Sequence, residues 1–125
     1  MHKEDKLLLV AGVIDWINDN LDNDINVDKV ARKSGYSKWY FQRVFKNVTG
    51  ITLGRYILAL KFKMASQDLV LTKKTINDIS FDAGFNSQQS FCRAFKNTYS
   101  ITPSDYRNMF FAQPVFDKLD LAGVS

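Results

Sequence analysis

Cysteine, histidine and proline are scarce: one, one and two occur in 125 residues. Cys92 has no second thiol with which to close an internal disulfide, which suits a reducing compartment such as the cytoplasm. His2 stands at the very start of the chain, and no Cys/His set has the spacing of a zinc site. No nucleophile–base pairing and no glycine loop of the phosphate-cradling kind occurs, so neither an enzyme nor a cofactor is expected. No apolar run approaches the length of a membrane span and no signal peptide opens the chain, so no membrane partner is expected either. Acid, too, is missing locally. Residues 29–67 hold nine Lys or Arg and no Asp or Glu, whereas residues 1–28 hold seven acidic and two basic side chains. Residues 68–125 carry six of each. The net charge of +4 therefore understates a basic field concentrated in one window, as a polyanionic partner requires.

That window contains a sequence that is written twice. Gly35 to Tyr56 reads GYSKWYFQRVFKNVTGITLGRY, and Gly84 to Tyr106 reads GFNSQQSFCRAFKNTYSITPSDY. One extra residue between Phe85 and Phe91 brings the copies into register. Nine positions are then identical: Gly35/Gly84, Phe41/Phe91, Arg43/Arg93, Phe45/Phe95, Lys46/Lys96, Asn47/Asn97, Ile51/Ile101, Thr52/Thr102 and Tyr56/Tyr106. Two units indicate a duplicated supersecondary motif rather than a solenoid.

In each copy the apolar spacing is helical. Phe41, Val44, Phe45 and Val48 form one stripe, and Phe91, Ala94, Phe95 and Thr98 are expected to repeat it. The opposite face carries Trp39, Gln42, Arg43 and Lys46 in the first copy and Gln89, Cys92, Arg93 and Lys96 in the second. A face with Arg and Gln but no carboxylate suits duplex DNA. Arg bonds guanine bidentately, Gln does so at adenine, and an apolar group meets the thymine methyl. Simple solvation of a polar face would account for Gln and Lys but not for Trp39, and two equivalent faces in tandem favour nucleic acid.

Taken in order, Lys6 to Leu21 reads as a helix with Val10, Val13, Ile14, Ile17 and Leu21 inward, Trp16 beside them and Asp15, Asp19 and Asp22 outward. Its role is to cover the first repeat's core. Asn26 caps a short helix, 27–33, with Val27, Val30 and Ala31 inward. Gly35 permits a tight turn, Ser37 caps helix 38–48, and Gly50 ends it. Short helix, turn and polar-faced helix make a helix-turn-helix. Thr52 caps a joining helix from Leu53 to Val70, about 27 Å long by its rise per residue. No Gly/Ser/Pro-rich linker interrupts it, so a stiff connection is expected. Thr75 with Asp78 resembles a capping box and opens the second short helix, with Ile76 and Ile79 inward and Ser80 in the place of Ala31. Gly84 ends it, Asn86 or Ser87 caps helix 87–99, and Thr102-Pro103-Ser104-Asp105 starts a last helix reaching about Phe111. The expected fold is all-α, about seven helices, with two helix-turn-helix subdomains joined by a long rigid helix. Its divisions are 1–52, 53–72, 73–112 and a C-terminal tail, 113–125, of weak periodicity.

These residues resemble the AraC/XylS family of bacterial transcription regulators, and in overall shape its small MarA/SoxS/Rob group. Ile76, Asp78, Ile79, Gly84-Phe85, Ser90, Phe91, Arg93, Phe95-Lys96, Thr102-Pro103 and Tyr106-Arg107 carry the likeness, with SKWYFQRVFK in the first copy. The resemblance covers residues 6 to 110. It implies a monomer inserting two recognition helices into adjacent major-groove segments of an asymmetric site in double-stranded promoter DNA. It further implies activation through RNA polymerase at stress-response or drug-resistance promoters, in the bacterial cytoplasm. Base readers would be Trp39, Gln42 and Arg43, then Gln88, Gln89, Cys92 and Arg93. Phosphate contacts would be Ser37, Lys38, Lys46, Arg55, Ser90 and Lys96. No effector domain is recognisable, so no small-molecule effector is expected. Three positions depart from the family pattern: Ser80 for alanine, Ser100 for glycine, and Leu58 and Leu60 where arginine is usual.

One competing reading is a helical protein-interaction module using Trp39, Leu58 and Leu60. Salt separates the two, because phosphate binding weakens steeply with ionic strength and an apolar interface does not. A redox role for Cys92 beside Arg93 is weaker than that of a small residue on the DNA-facing side.

Overall fold

The computed structural model describes residues 2–22 and 24–111, so the tail 113–125 lies outside the described residues. Among these residues are seven helices and no strand: α1 Lys3–Asp19, α2 Val27–Ser34, α3 Lys38–Thr49, α4 Leu53–Leu71, α5 Ile76–Asp82, α6 Gln88–Tyr99 and α7 Pro103–Phe111. The chain forms two compact units, residues 1–60 and 61–125, and α4 begins in the first and ends in the second. No helix of the described residues is long and apolar enough to cross a membrane.

Local chemistry sets nearly every helix start. The side-chain oxygens of Asn26, Ser37, Thr52, Thr75, Ser87 and Thr102 each accept a hydrogen bond from the backbone N–H three residues on, at 2.9–3.2 Å. Such a cap satisfies one of the donors that a helix N-terminus leaves open and contributes about 1 kcal/mol. The helix ends repeat as the sequence does. Gly35 and Gly84 are left-handed at φ 80° and 87°. Gly50 and Ser100, equivalent in the two copies, are left-handed at 85° and 70°, and each backbone N–H donates to the carbonyl four residues back at 2.8 Å. Glycine meets no Cβ penalty there and serine does.

In the first unit, α1, α2 and α3 pack on one another. Val10, Val13 and Ile17 of α1 bury with Val30 and Ala31 of α2, Phe41, Val44 and Phe45 of α3, and Leu53 and Ile57 of α4. In the second unit, α6 packs on α5 and α7, and Phe62, Ala65, Leu69, Ile79, Ala83, Phe91 and Phe95 form the core. Phe62 lies 5.9–6.3 Å from the rings of Phe85, Phe91, Phe95 and Tyr99. Arg107 of α7 donates from Nε to the Leu69 carbonyl at 2.9 Å and from Nη2 to the Thr72 carbonyl at 3.2 Å. A cation is thus held on carbonyls that the end of α4 leaves open.

Several expectations are corrected. Thr98 is exposed, its hydroxyl donating to the Ala94 carbonyl, while Tyr99 stacks on Phe95 at 4.5 Å. The larger apolar surface takes the inward place because it gains more from burial. Helix α1 starts at Lys3, ahead of Lys6, and stops at Asp19. Leu21 falls beyond it, half-buried, and Ile25 supplies the buried side chain in that connection instead. Ile14, Val27 and Ile76 are half-buried rather than buried. Ser80, by contrast, is fully buried as a stand-in for alanine, because its hydroxyl donates to the Ile76 carbonyl at 2.7 Å and leaves no polar atom unpaired.

Candidate nucleic-acid interface

Burying Phe41, Val44 and Phe45 fixes how α3 is rotated, so the residues between them must point out. Trp39, Arg43 and Lys46 are exposed and Gln42 is half-buried; no acidic residue occurs in the helix. Trp39 is 67% exposed, an unusual state for a side chain with so much apolar surface. The Arg43 guanidinium lies over its indole, 5.3 Å from the ring centroid, a cation–π pair on the outer face. Trp39, Gln42, Arg43, Lys46, Asn47, Thr52 and Leu53 line an open recess of about 330 Å3. Ser37 is both exposed and the cap of α3, and Arg55 is exposed in the first turn of α4. Lys38, the first residue of α3, is engaged by Asp28 of α2 at 2.8 Å. The hydrogen bond from Lys38, and then its charge, hold the Asp28 carboxyl below the usual carboxylate range.

The second unit builds a matching face. Gln88, Gln89 and Ser90 form the exposed first turn of α6, followed by exposed Arg93 and Lys96, again with no acidic residue in the helix. The Ser87 hydroxyl accepts from the Ser90 N–H at 3.1 Å and donates to the Ser90 hydroxyl at 2.9 Å. Cys92, like Gln42 at the equivalent place in α3, is less exposed. It is half-buried and packs against the core of this unit, and burial pushes its thiol pKa up. The outward place expected for Cys92 is therefore half-buried rather than fully exposed. A raised pKa also argues against a thiolate activated by Arg93.

Each unit thus collects its predicted residues on one face: Trp39, Gln42, Arg43 and Lys46 in the first, and Gln88, Gln89, Arg93 and Lys96 in the second. Ser37, Lys38 and Arg55 flank the first group and Ser90 the second. Two neighbours escaped sequence reasoning. Tyr36, exposed in the turn before α3, stacks with Tyr40 at 5.2 Å between centroids. Asn47 lines the recess, and its identity with Asn97 was the available signal. Leu58 is exposed and Leu60 half-buried on α4. Among the described residues no group of three or more His, Cys, Asp or Glu could hold a metal.

Two helix-turn-helix units, each turning an acid-free Arg/Gln/Lys face outward, define a DNA-binding protein of the helix-turn-helix class. A family model described as a helix-turn-helix domain matches residues 30–109, and the chain belongs to this AraC-type family of transcription regulators rather than to any enzyme family. It is 52% identical over 99 residues to the TetD protein of transposon Tn10 from Escherichia coli, spanning 79% of this chain and 72% of that protein. It is 46% identical over 100 residues to the regulatory protein SoxS of Salmonella typhimurium, spanning 80% of this chain and 94% of SoxS. Among solved structures, an AraC-type regulator from Chromobacterium violaceum superposes with a TM-score of 0.72 at 27% identity, covering 90% of this chain and 99% of that one.

Proposed function

We propose that this regulator is a monomeric activator that inserts α3 and α6 into adjacent major-groove segments of an asymmetric promoter site and recruits RNA polymerase. The observation that carries the reading is the duplicated outward face, free of carboxylate on both helices and bearing Arg43 and Arg93 at equivalent positions. Trp39, Gln42 and Arg43 read bases in one segment, and Gln88, Gln89, Cys92 and Arg93 read them in the other. Ser37, Lys38, Lys46, Arg55, Ser90 and Lys96 bind phosphates, which fix register without reading sequence. We place its action at stress-response or drug-resistance promoters in the bacterial cytoplasm, and the likeness to the regulatory protein SoxS supports the regulatory role.

Selection of bound sequences from random duplex DNA, followed by footprinting, tests this directly. The expected outcome is a non-palindromic site, occupied by one chain and spanning two major-groove segments. A palindrome filled by two chains would contradict it. Transcription with purified RNA polymerase on the selected site then tests activation, with more transcript expected when the regulator is added.

A further inference from the structure

Asp28 and Lys38 stand at defined places in the first helix-turn-helix: second residue of α2 and first residue of α3. Lys38 Nζ lies 2.8 Å from Asp28 Oδ1, with both side chains more than half exposed. The second copy of the motif has the same two places, second residue of α5 and first residue of α6, and fills them with Asn77 and Gln88. One repeat therefore carries a charged pair where the other carries two neutral amides. Asp28 also adjoins the window 29–67, which has no carboxylate of its own.

We propose that Asp28 is an intramolecular competitor for the DNA phosphate that Lys38 binds, and so sets the strength of sequence-independent binding by the first repeat. The proposal rests on the assignment of Lys38 to phosphate made above. An ammonium already paired with a carboxylate must share or exchange it to accept a phosphate oxygen. If the carboxylate stays, it lies beside a phosphate of like charge. Either way the contact yields less than a free lysine would. The effect is uniform across DNA sequences, because phosphates carry no base information.

The test measures binding of the full chain to a specific and an unrelated duplex over a series of salt concentrations. The proteins are wild type, Asp28→Asn, Lys38→Ala, the double variant Asp28→Asn/Lys38→Ala, and Asp28→Asn/Lys38→Gln, which copies the second repeat's amides. Asp28→Asn should tighten both duplexes by roughly two- to fivefold at low salt, the range of an exposed ion pair. Its plot of log affinity against log salt should steepen by up to about 0.9, one phosphate contact. In the Lys38→Ala background the same substitution should gain clearly less and leave the salt slope nearly unchanged, because only the carboxylate's direct repulsion of phosphate is then removed. Thermal melting separates this from a general improvement. Asp28 sits favourably in the first turn of α2, so Asp28→Asn should melt slightly lower while binding more tightly.

Unchanged or weaker binding by Asp28→Asn would overturn the proposal, since Asp28 would then be silent or would aim Lys38 at the phosphate. A gain as large without Lys38 as with it would overturn it as well, by showing only a change in overall field. If Lys38→Ala alone binds every duplex as wild type does, the phosphate assignment of Lys38 fails, and the competitor role with it. A normal loss with Lys38→Ala and no gain with Asp28→Asn removes the competitor role alone.

Discussion

The Arg43 guanidinium rests on the Trp39 indole, 5.3 Å from its centroid, and the two form one exposed unit on α3. Stacking restricts both side chains before DNA arrives, so less side-chain freedom is lost on binding. Arg43→Ala should weaken specific binding by about 1–3 kcal/mol and relax base preference locally. Trp39→Ala should also weaken it, and the double variant should lose less than the sum by about 0.5–1 kcal/mol. Titrations of the four proteins on one duplex check this, and strict additivity would mean that the stack contributes nothing to recognition.

Ser100 is the one non-glycine residue with positive φ among the described residues, at 70°. Ser100→Gly should raise unfolding free energy by roughly 0.5–1 kcal/mol, the left-handed penalty less the added freedom of the unfolded chain. Gly50→Ala at the equivalent place should lower stability through backbone strain alone, because an added Cβ would meet nothing within 4 Å. Urea melts read both, and a destabilised Ser100→Gly would show that the serine side chain contributes more than its backbone costs.

Most of this was legible in the sequence. Caps, glycines and the paired Phe stripes announce themselves within four residues, and all depend on local chemistry. What was missed depends on partners distant in sequence. Helical spacing put Thr98 inward, and only the aromatic cluster around Phe62 and Phe95 turns Tyr99 in instead. The stripe likewise placed Cys92 outward, and the core beneath it draws it half in. The Asp28–Lys38 pair, ten residues apart on two helices, was hidden because Asp28 sits just outside the acid-free window.

Arg107 joins α7 to the end of α4 through the carbonyls of Leu69 and Thr72. Arg107→Ala should cost about 1–3 kcal/mol, as it removes charged hydrogen bonds and leaves part-buried acceptors open. Arg107→Lys should recover only part, because an ammonium lacks the planar fork that spans two carbonyls. Chemical denaturation of the three proteins measures it, and full recovery by lysine would show that charge alone matters.

Burial raises the pKa of Cys92, and also those of Tyr56 and Tyr99. A raised folded-state pKa means that folding favours the protonated form. The associated stability is complete below the unfolded-state pKa and is lost as pH rises through the folded one. Stability should therefore fall on the alkaline side. Maleimide should react with Cys92 more slowly in the folded chain than in urea at the same pH. Specific duplex should slow it further, and unrelated protein should not. An equal rate with saturating duplex would remove Cys92 from the interface.

Methylation protection at guanine N7 reports major-groove occupancy directly, since that atom is an Arg acceptor. On the selected site, wild type should protect guanines in two segments about 10 base pairs apart. Arg43→Ala should lose protection in one segment and Arg93→Ala in the other. Loss of both segments in either variant, or no protection in wild type, would contradict two recognition helices reading adjacent stretches of one major groove.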